Sequence, residues 1–512
     1  MFGGPALSAA AGFRPTRTHA QNSARPPLSV PPELRVDAGG AILLEAQPGS
    51  MRFQGGPATS TYGINGPYLG PALRLRRGQK AVVKVHNGIP QAITMHWHGL
   101  IIPGAVDGGP HQGILPGNRW SAELSIDQPS ATLWFHPHIY PMTAELVTKG
   151  LAGLLIIDDD EADRLPLPSR WGVDDLPLII QDRRFTSDGQ LFERFNIVAV
   201  TNGYIGDRVL VNGAHFPETR TARGWLRLRI LNGSNARSYA LTASDGRSLF
   251  VIASDGGLLD GPVELKQLLV HAAERFEVLV DARSGTAFDL MTLPVGPDIM
   301  QLPPFDRPLP LLTIRPDGVD GNGKLPDRLA TLPTLPENIP PVSQELVMNM
   351  FREKEGMMAL DKTGLMAKGK NGGTDPAVIS RVVDLIVNGP ALSQPDQLSA
   401  NGVNGRPFAL GEAGFAASRD QLLRWRIAEG SDRMLHPVHI HGCQFRIISQ
   451  DGRPPEPQRA GWKDVAPISA GGASEILVRF PHSAGGDAPY MAHCHILEHE
   501  DSGMMAQFTI SC

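Results

Sequence analysis

Near the C-terminal end the chain reads His493-Cys494-His495, then His499, then Met504, ten residues after the cysteine. A thiolate with two imidazoles and a weak thioether is the ligand set of a blue-copper electron-transfer site. Cys494, His499 and Met504 are close enough in sequence to share one ion, so a second imidazole must come from elsewhere. Side chains alternate along an extended strand. His493 and His495 are therefore expected to turn away from the thiolate, toward a different metal. The pattern implies two metal centres joined by a single residue of backbone.

Ten of the sixteen histidines fall in four clusters: His96/His98, His136/His138, His436/His439/His441 and His493/His495/His499. A His-x-His pair on a strand places both rings on one face, ~7 Å apart along the backbone. With His436 and His499 assigned to the cysteine-centred site, eight imidazoles remain. Eight suit three copper ions, two with three ligands and one with two, leaving positions open for dioxygen and water. A single His-x-His pair would be weak evidence, because exposed strands and zinc sites also carry them. Zinc hydrolase chemistry accounts for neither the Cys–Met pair nor so many imidazoles without carboxylate ligands.

Similar strands recur along the chain and could position these residues: Val83-Lys84-Val85-His86-Asn87-Gly88, Leu228-Arg229-Ile230-Leu231-Asn232-Gly233 and Trp425-Arg426-Ile427-Ala428-Glu429-Gly430. Apolar and polar residues alternate with period two, as half-buried strands require. The first and third copies run on into His96-Trp97-His98-Gly99 and His436-Pro437-Val438-His439-Ile440-His441-Gly442; the middle copy has no such histidines. Three β-domains are expected, the outer two carrying ligands and the middle one structural. The expected boundaries are 31–165, 166–335 and 336–512. A Pro-rich linker lies around 332–341, and a Met-containing insertion over 345–375 is expected to be partly helical from Glu345 to Leu360.

Length and composition agree with this reading. A chain of 512 residues exceeds one ordinary core. Its 56 glycines and 45 prolines suit many short strands joined by turns. With 47 basic and 52 acidic residues and no Lys/Arg stripe, nucleic acid is excluded as a partner. No stretch reaches the length of a transmembrane helix, so no membrane insertion is expected. Of three cysteines, Cys443, Cys494 and Cys512, a ligand role for Cys494 leaves at most one bridge, and free thiols are expected for the other two. Residues 1–30 are expected to be a trimmed export signal or a disordered leader, with Ala9-Ala10-Ala11 and Thr18-His19-Ala20 as cleavage-like sites.

The four clusters resemble the fingerprint of the multicopper oxidases, which include laccases, ferroxidases and bacterial copper-efflux (CueO-type) oxidases. The resemblance runs from about Pro31 onward and includes 251–257 and 274–280. It implies an all-β fold of three cupredoxin-like Greek-key barrels and four copper ions, one type 1, one type 2 and two type 3. Type 1 takes His436, Cys494, His499 and axial Met504. Type 2 takes His96 and His439. Type 3 takes His98, His136 and His495 on one ion and His138, His441 and His493 on the other. Glu500 and Asp107 match acidic positions that the family uses for proton relay near the three-copper cluster; Asp501 is expected to be structural. The protein is then expected to be a monomeric oxidase that reduces dioxygen to water.

The reductant depends on the methionines, because thioethers are soft ligands that prefer Cu(I). The resemblance places Met348, Glu353, Asp432 and Met434 where cuprous oxidases hold a substrate copper, with Glu353 in place of the relatives' Asp. The Lys/Gly-rich 367–373 stands where relatives carry a Met/His-rich tract, which leaves the type 1 edge more open to phenols. A periplasmic cuprous oxidase with laccase-like activity is the expectation, with a laccase proper as the alternative. A copper store or electron carrier fits less well. A carrier needs only the Cys494 site, and a store needs no ordered His-x-His pairs.

Overall fold

The three repeated strands occupy equivalent places in three sheets. Lys80–Asn87 pairs parallel with Ala41–Met51 and antiparallel with Arg119–Ser125. Trp225–Asn232 does the same between Asp175–Arg183 and Arg275–Asp281, and Leu423–Glu429 between Val342–Met350 and Ala473–Val478. Each sheet has a second sheet as its partner, and each pair encloses its own apolar core. The result is three cupredoxin-like barrels. The computed structural model describes residues 25–37, 39–53, 56–296, 301–365, 375–412, 414–430 and 432–511.

Burial along the first repeated strand alternates as its sequence predicts. The middle copy departs from this, because Trp225–Asn232 is buried on both faces. Its polar face lies against the first domain, where Arg229 pairs with Asp175 at 2.7 Å and Glu277 at 2.9 Å. Thr132 of the first domain donates to Glu277 at 2.6 Å. Buried charges survive only when paired and hydrogen-bonded, and here the hydrogen bond from Thr132 ties the paired group to the first domain.

The Met-containing insertion differs from its expected form. Strand Val342–Met350 continues through the segment expected to start a helix, because it pairs in parallel with Leu423–Glu429. The helix begins only at Glu353 and ends at Lys362. A second helix, Pro376–Asn388, was not anticipated. Asp375 caps it by accepting from Ala377 N at 2.9 Å, and Pro376 occupies its first turn. Its buried Val378, Val382 and Ile386 recur every four residues and pack on Val198 and Ile205. Met366 and 367–373 lie outside the described residues, as do Cys512 and most of the proposed leader. Residues 25–30 do belong to the fold: Pro27 bridges Glu218, and Leu28 is buried in the second-domain core.

Candidate metal centre

The third barrel builds the cysteine-centred site from two adjacent strands and the turn that follows. In strands His436–Ile440 and Tyr490–Cys494, Val438 lies opposite Cys494 and His439 opposite His493. A short helix, Leu497–Glu500, returns His499 to the sulfur. Cys494 Sγ lies 3.5 Å from His436 Nδ1 and 3.7 Å from His499 Nδ1. Met504 is fully buried beside them, its N–H donating to His499 O at 2.8 Å and its carbonyl accepting from Cys494 N at 3.1 Å. An ion about 2.3 Å from sulfur and about 2.0 Å from nitrogen holds the two about 3.5 Å apart at a near-tetrahedral angle. The geometry therefore fits a metal. Although burial opposes it, Asp432 and the Cys494 sulfur pull the His436 pKa up to about 10, so a metal bound here must displace the proton this ring otherwise holds.

The other eight histidines meet between the first and third barrels, all buried. Ligand atoms of His98, His136 and His495 lie within 4.8 Å of one another, as do those of His138, His441 and His493, and those of His96, His98 and His439. Nε2 of His138 approaches Nε2 of His493 at 3.1 Å, and His441 Nε2 approaches it at 3.3 Å. His96 Nε2 and His439 Nε2 are 3.4 Å apart. Burial first and neighbouring imidazoles second push His98, His136, His138, His439, His441 and His495 well below the ordinary imidazole value. Neutral rings offer lone pairs, the form that metals require. The buried His98 Nδ1 and His136 Nε2 have no hydrogen-bond partner, which a cation would supply. The residues present fit copper.

The outer ring nitrogens are held from behind, which fixes tautomer and ring direction. Nδ1 of His96 donates to the Asp107 carbonyl at 2.9 Å, that of His441 to the Asp107 carboxylate at 2.7 Å, and that of His136 to Pro137 O at 2.8 Å. The Glu500 carboxylate lies 3.3 Å from His138 Nδ1 and 3.1 Å from His493 Nδ1 without hydrogen-bond geometry to either, and His493 Nδ1 pairs with Cys494 O at 3.2 Å. Asp501 instead accepts from Thr143 N and Ala144 N at the start of a first-domain helix, a structural tie.

Sequence reasoning missed a third carboxylate. Asp464 Oδ1 accepts from His98 Nε2 at 3.1 Å, and its carbonyl accepts from His439 Nδ1 at 2.8 Å. Arg275 of the middle barrel donates to Asp464 at 2.7 Å. The domain without ligands thus reaches the cluster. Gly99, directly after His98, adopts φ +92°, and a Cβ there would lie 2.6 Å from Asp464 Oδ2 and 2.9 Å from Arg275 Nη2. Glycine at this position admits the ion pair. Arg275 lies within the 274–280 motif, so a signal was present but no role could be read from it.

Beside the cysteine site a cavity of about 150 Å³ is lined by Met350, Glu353, Met357, Asp432 and Met434. Asp432 accepts from His436 Nε2 at 3.1 Å. Arg433 takes a left-handed φ of 59°, an uncommon backbone state that turns Asp432 and Met434 to this rim. Three of the four expected substrate-copper residues are brought together here. Met348 is not. It is fully buried in the third-barrel core with Leu346 and Val403, because its strand is sandwiched between Leu423–Glu429 and Asn401–Val403. Met350, at the strand's end, lines the cavity instead. Met358 points to solvent, 58% exposed. Cys443 is a buried free thiol.

Two linked metal-ligand centres on three barrels define a copper oxidase frame. Multicopper oxidase family models match residues 45–162, 195–293 and 385–511. The chain belongs to the multicopper oxidase family. It is 34% identical to the multicopper oxidase mco of Staphylococcus aureus over 92% of this chain and 88% of that one. It is 31% identical to the cell division protein FtsP of Salmonella typhimurium over 99% and 97%. Among solved structures, it resembles the laccase-like multicopper oxidase CueO from the lignin-degrading bacterium Ochrobactrum sp., with 36% identity, TM-score 0.80 and coverage of 95% and 100%.

Proposed function

We propose that the protein is an oxidase with four copper ions, taking electrons one at a time at the Cys494 site and passing them to a three-copper cluster that reduces dioxygen to two waters. One observation carries this reading. Cys494, facing His436 and His499, is flanked in sequence by His493 and His495, which face the eight-histidine cluster. Copper bound there would supply one-electron redox chemistry. The chain supplies the rest. His436, Cys494, His499 and Met504 hold the electron-accepting ion, with His96 and His439 as type 2 ligands and the two groups of three as type 3 ligands. Glu500 and Asp107 handle protons beside the outer nitrogens of cluster ligands, where four protons must be delivered per dioxygen.

The substrate we propose is Cu(I), with laccase-like oxidation of phenols beside it. Support comes from the thioethers of Met350 and Met434 and the carboxylates of Asp432 and Glu353 at one cavity, whose Asp432 accepts from His436. Soft sulfur favours Cu(I) over harder ions. Cu(I) disposal with dioxygen suits an oxidising compartment, so we place the protein in the periplasm, as a monomer. A laccase proper is the second reading, favoured by the neighbour's laccase-like activity. The FtsP relatives raise a third, a role in cell division; the full buried ligand set here favours oxidase chemistry.

The test is to reconstitute the chain with copper, look for the intense blue colour and follow oxygen uptake with Cu(I), then with a phenol with and without added Cu(II). A blue protein without oxygen uptake would sink the oxidase reading. Phenol turnover indifferent to added copper, with no Cu(I) oxidation, would make it a laccase.

A further inference from the structure

A hollow of about 610 Å³, larger than the methionine-lined cavity and sharing no lining residue with it, lies between the first barrel, the 332–341 linker and the third barrel. Its walls are largely apolar, from Ile101, Leu335, Leu422 and Leu477, and Leu335 is 44% exposed. Two arginines, Arg446 and Arg479, also line it. Arg446 is half-buried over Trp462, 5.9 Å from the ring centroid, and donates one bond to Pro333 O at 3.3 Å. Its buried Nε has no hydrogen-bond partner. Among the described residues no carboxylate lies within ion-pair distance of either guanidinium, and Asp260 acts on Arg446 only from beyond that distance. Asp127, at the rim, is 91% exposed and faces Arg77 at 3.6 Å.

A half-buried guanidinium with an unpaired N–H, set in an apolar hollow, gains free energy by pairing with an anion. Guanidinium matches carboxylate geometry with two parallel donors. Pockets of several hundred Å³ with apolar walls and a few convergent polar groups are the usual form of small-molecule sites. We propose that this hollow binds an amphipathic organic carboxylate, its head on Arg446 and Arg479 and its apolar stem along Leu335, Leu422 and Leu477. The site is separate from the cysteine-centred copper site. Its floor touches the cluster's support, since Gln128 and Gln444 donate to the carbonyl of Gly99 at 3.0 and 3.4 Å, next to His98.

The experiment is calorimetric titration of the copper-loaded full chain with decanoate, with 2-naphthoate and with the neutral stem analogues decanol and naphthalene. Saturable one-site binding of either anion, at least tenfold tighter than its neutral analogue, is expected. A preference between the two tells an alkyl from an aryl stem. Arg446→Leu should weaken the anion at least tenfold, and Leu335→Glu, on an exposed wall that tolerates change, should weaken it without altering the blue colour. No saturable binding of either anion overturns the proposal. So does equal binding of anion and neutral analogue, or undiminished binding in a folded Arg446→Leu and Leu335→Glu. The result is independent of oxygen uptake, so failure here leaves the oxidase reading intact.

Discussion

Replacing Asp464 by Asn changes one charge and almost no volume, at a position that touches two ligand histidines from two domains. The Asp464 carboxylate accepts from Arg275 at 2.7 Å and from His98 Nε2 at 3.1 Å. Asn keeps one acceptor oxygen but puts an amide donor against either the guanidinium or the imidazole. Arg275 is then left buried with Asp255, 3.6 Å away, as its remaining counter-ion. Breaking a buried pair from one side costs about 3–5 kcal/mol, and losing the partner behind a ligating imidazole costs about 10–100-fold in metal affinity. His439 is spared, because its Nδ1 bonds to the Asp464 carbonyl, which Asn retains. The expected outcome is a lower unfolding midpoint and cluster copper that leaves at about 10–100-fold lower chelator concentration. The blue colour should persist, since the cysteine site shares no residue with this pair. Copper content after graded chelation, read beside the blue absorbance, checks this. Unchanged retention, or equal loss of colour and cluster copper, would refute the argument. A double-mutant cycle with Arg275→Met should show coupling, because the two act through one contact.

Cys494→Ser should abolish both blue colour and oxygen uptake while the unfolding midpoint stays within a few degrees; retained oxidation would remove the cysteine from the electron path. Met350→Leu with Met434→Leu should raise KM for Cu(I) about tenfold or more with phenol turnover little changed. Met348→Leu, a volume-conserving core change, should cost less than about 1.5 kcal/mol and leave Cu(I) kinetics alone; the reverse pattern would restore Met348 to the site. Glu500→Gln should slow oxygen uptake by about 10²-fold or more while the colour remains, and uptake within twofold of the parent would exclude a proton role. Although burial raises it, Arg227 and Arg229 hold the Glu277 pKa down to about 2. The stability this carboxylate contributes is full above its unfolded value of about 4.3 and is lost as pH falls through the folded one. The amount is roughly 3 kcal/mol. Glu277→Gln should therefore flatten acid unfolding between about pH 4 and pH 2, and an unaltered acid profile would contradict it.

The ligand set was legible because metal chemistry concentrates rare residues at short, regular spacings. His493-Cys494-His495 on a strand end leaves two rings on one side and sulfur on the other, whatever the rest of the chain does. The three-barrel organisation was legible for a related reason, since period-two strands ending in glycine recur three times. The helix expected over 345–360 starts only at Glu353. The first four residues of that span, Glu345 to Met348, pair in parallel with a strand that begins almost eighty residues later, and local propensity carries no trace of such a partner.

The same physics separates what the chain determined by itself from what folding decided. Residue type and spacing determined the ligand chemistry: one cysteine site, one imidazole cluster and the single residue of backbone between them. Tertiary structure decided which groups stand behind those ligands and which face the substrate. Asp464 and Arg275 meet at His98 across 189 residues and three domains. Of two methionines on one strand, Met348 was enclosed by neighbouring strands, and Met350, where that pairing ends, faces the cavity. Those outcomes depend on domain packing and strand edges, and no spacing within the chain encodes them locally.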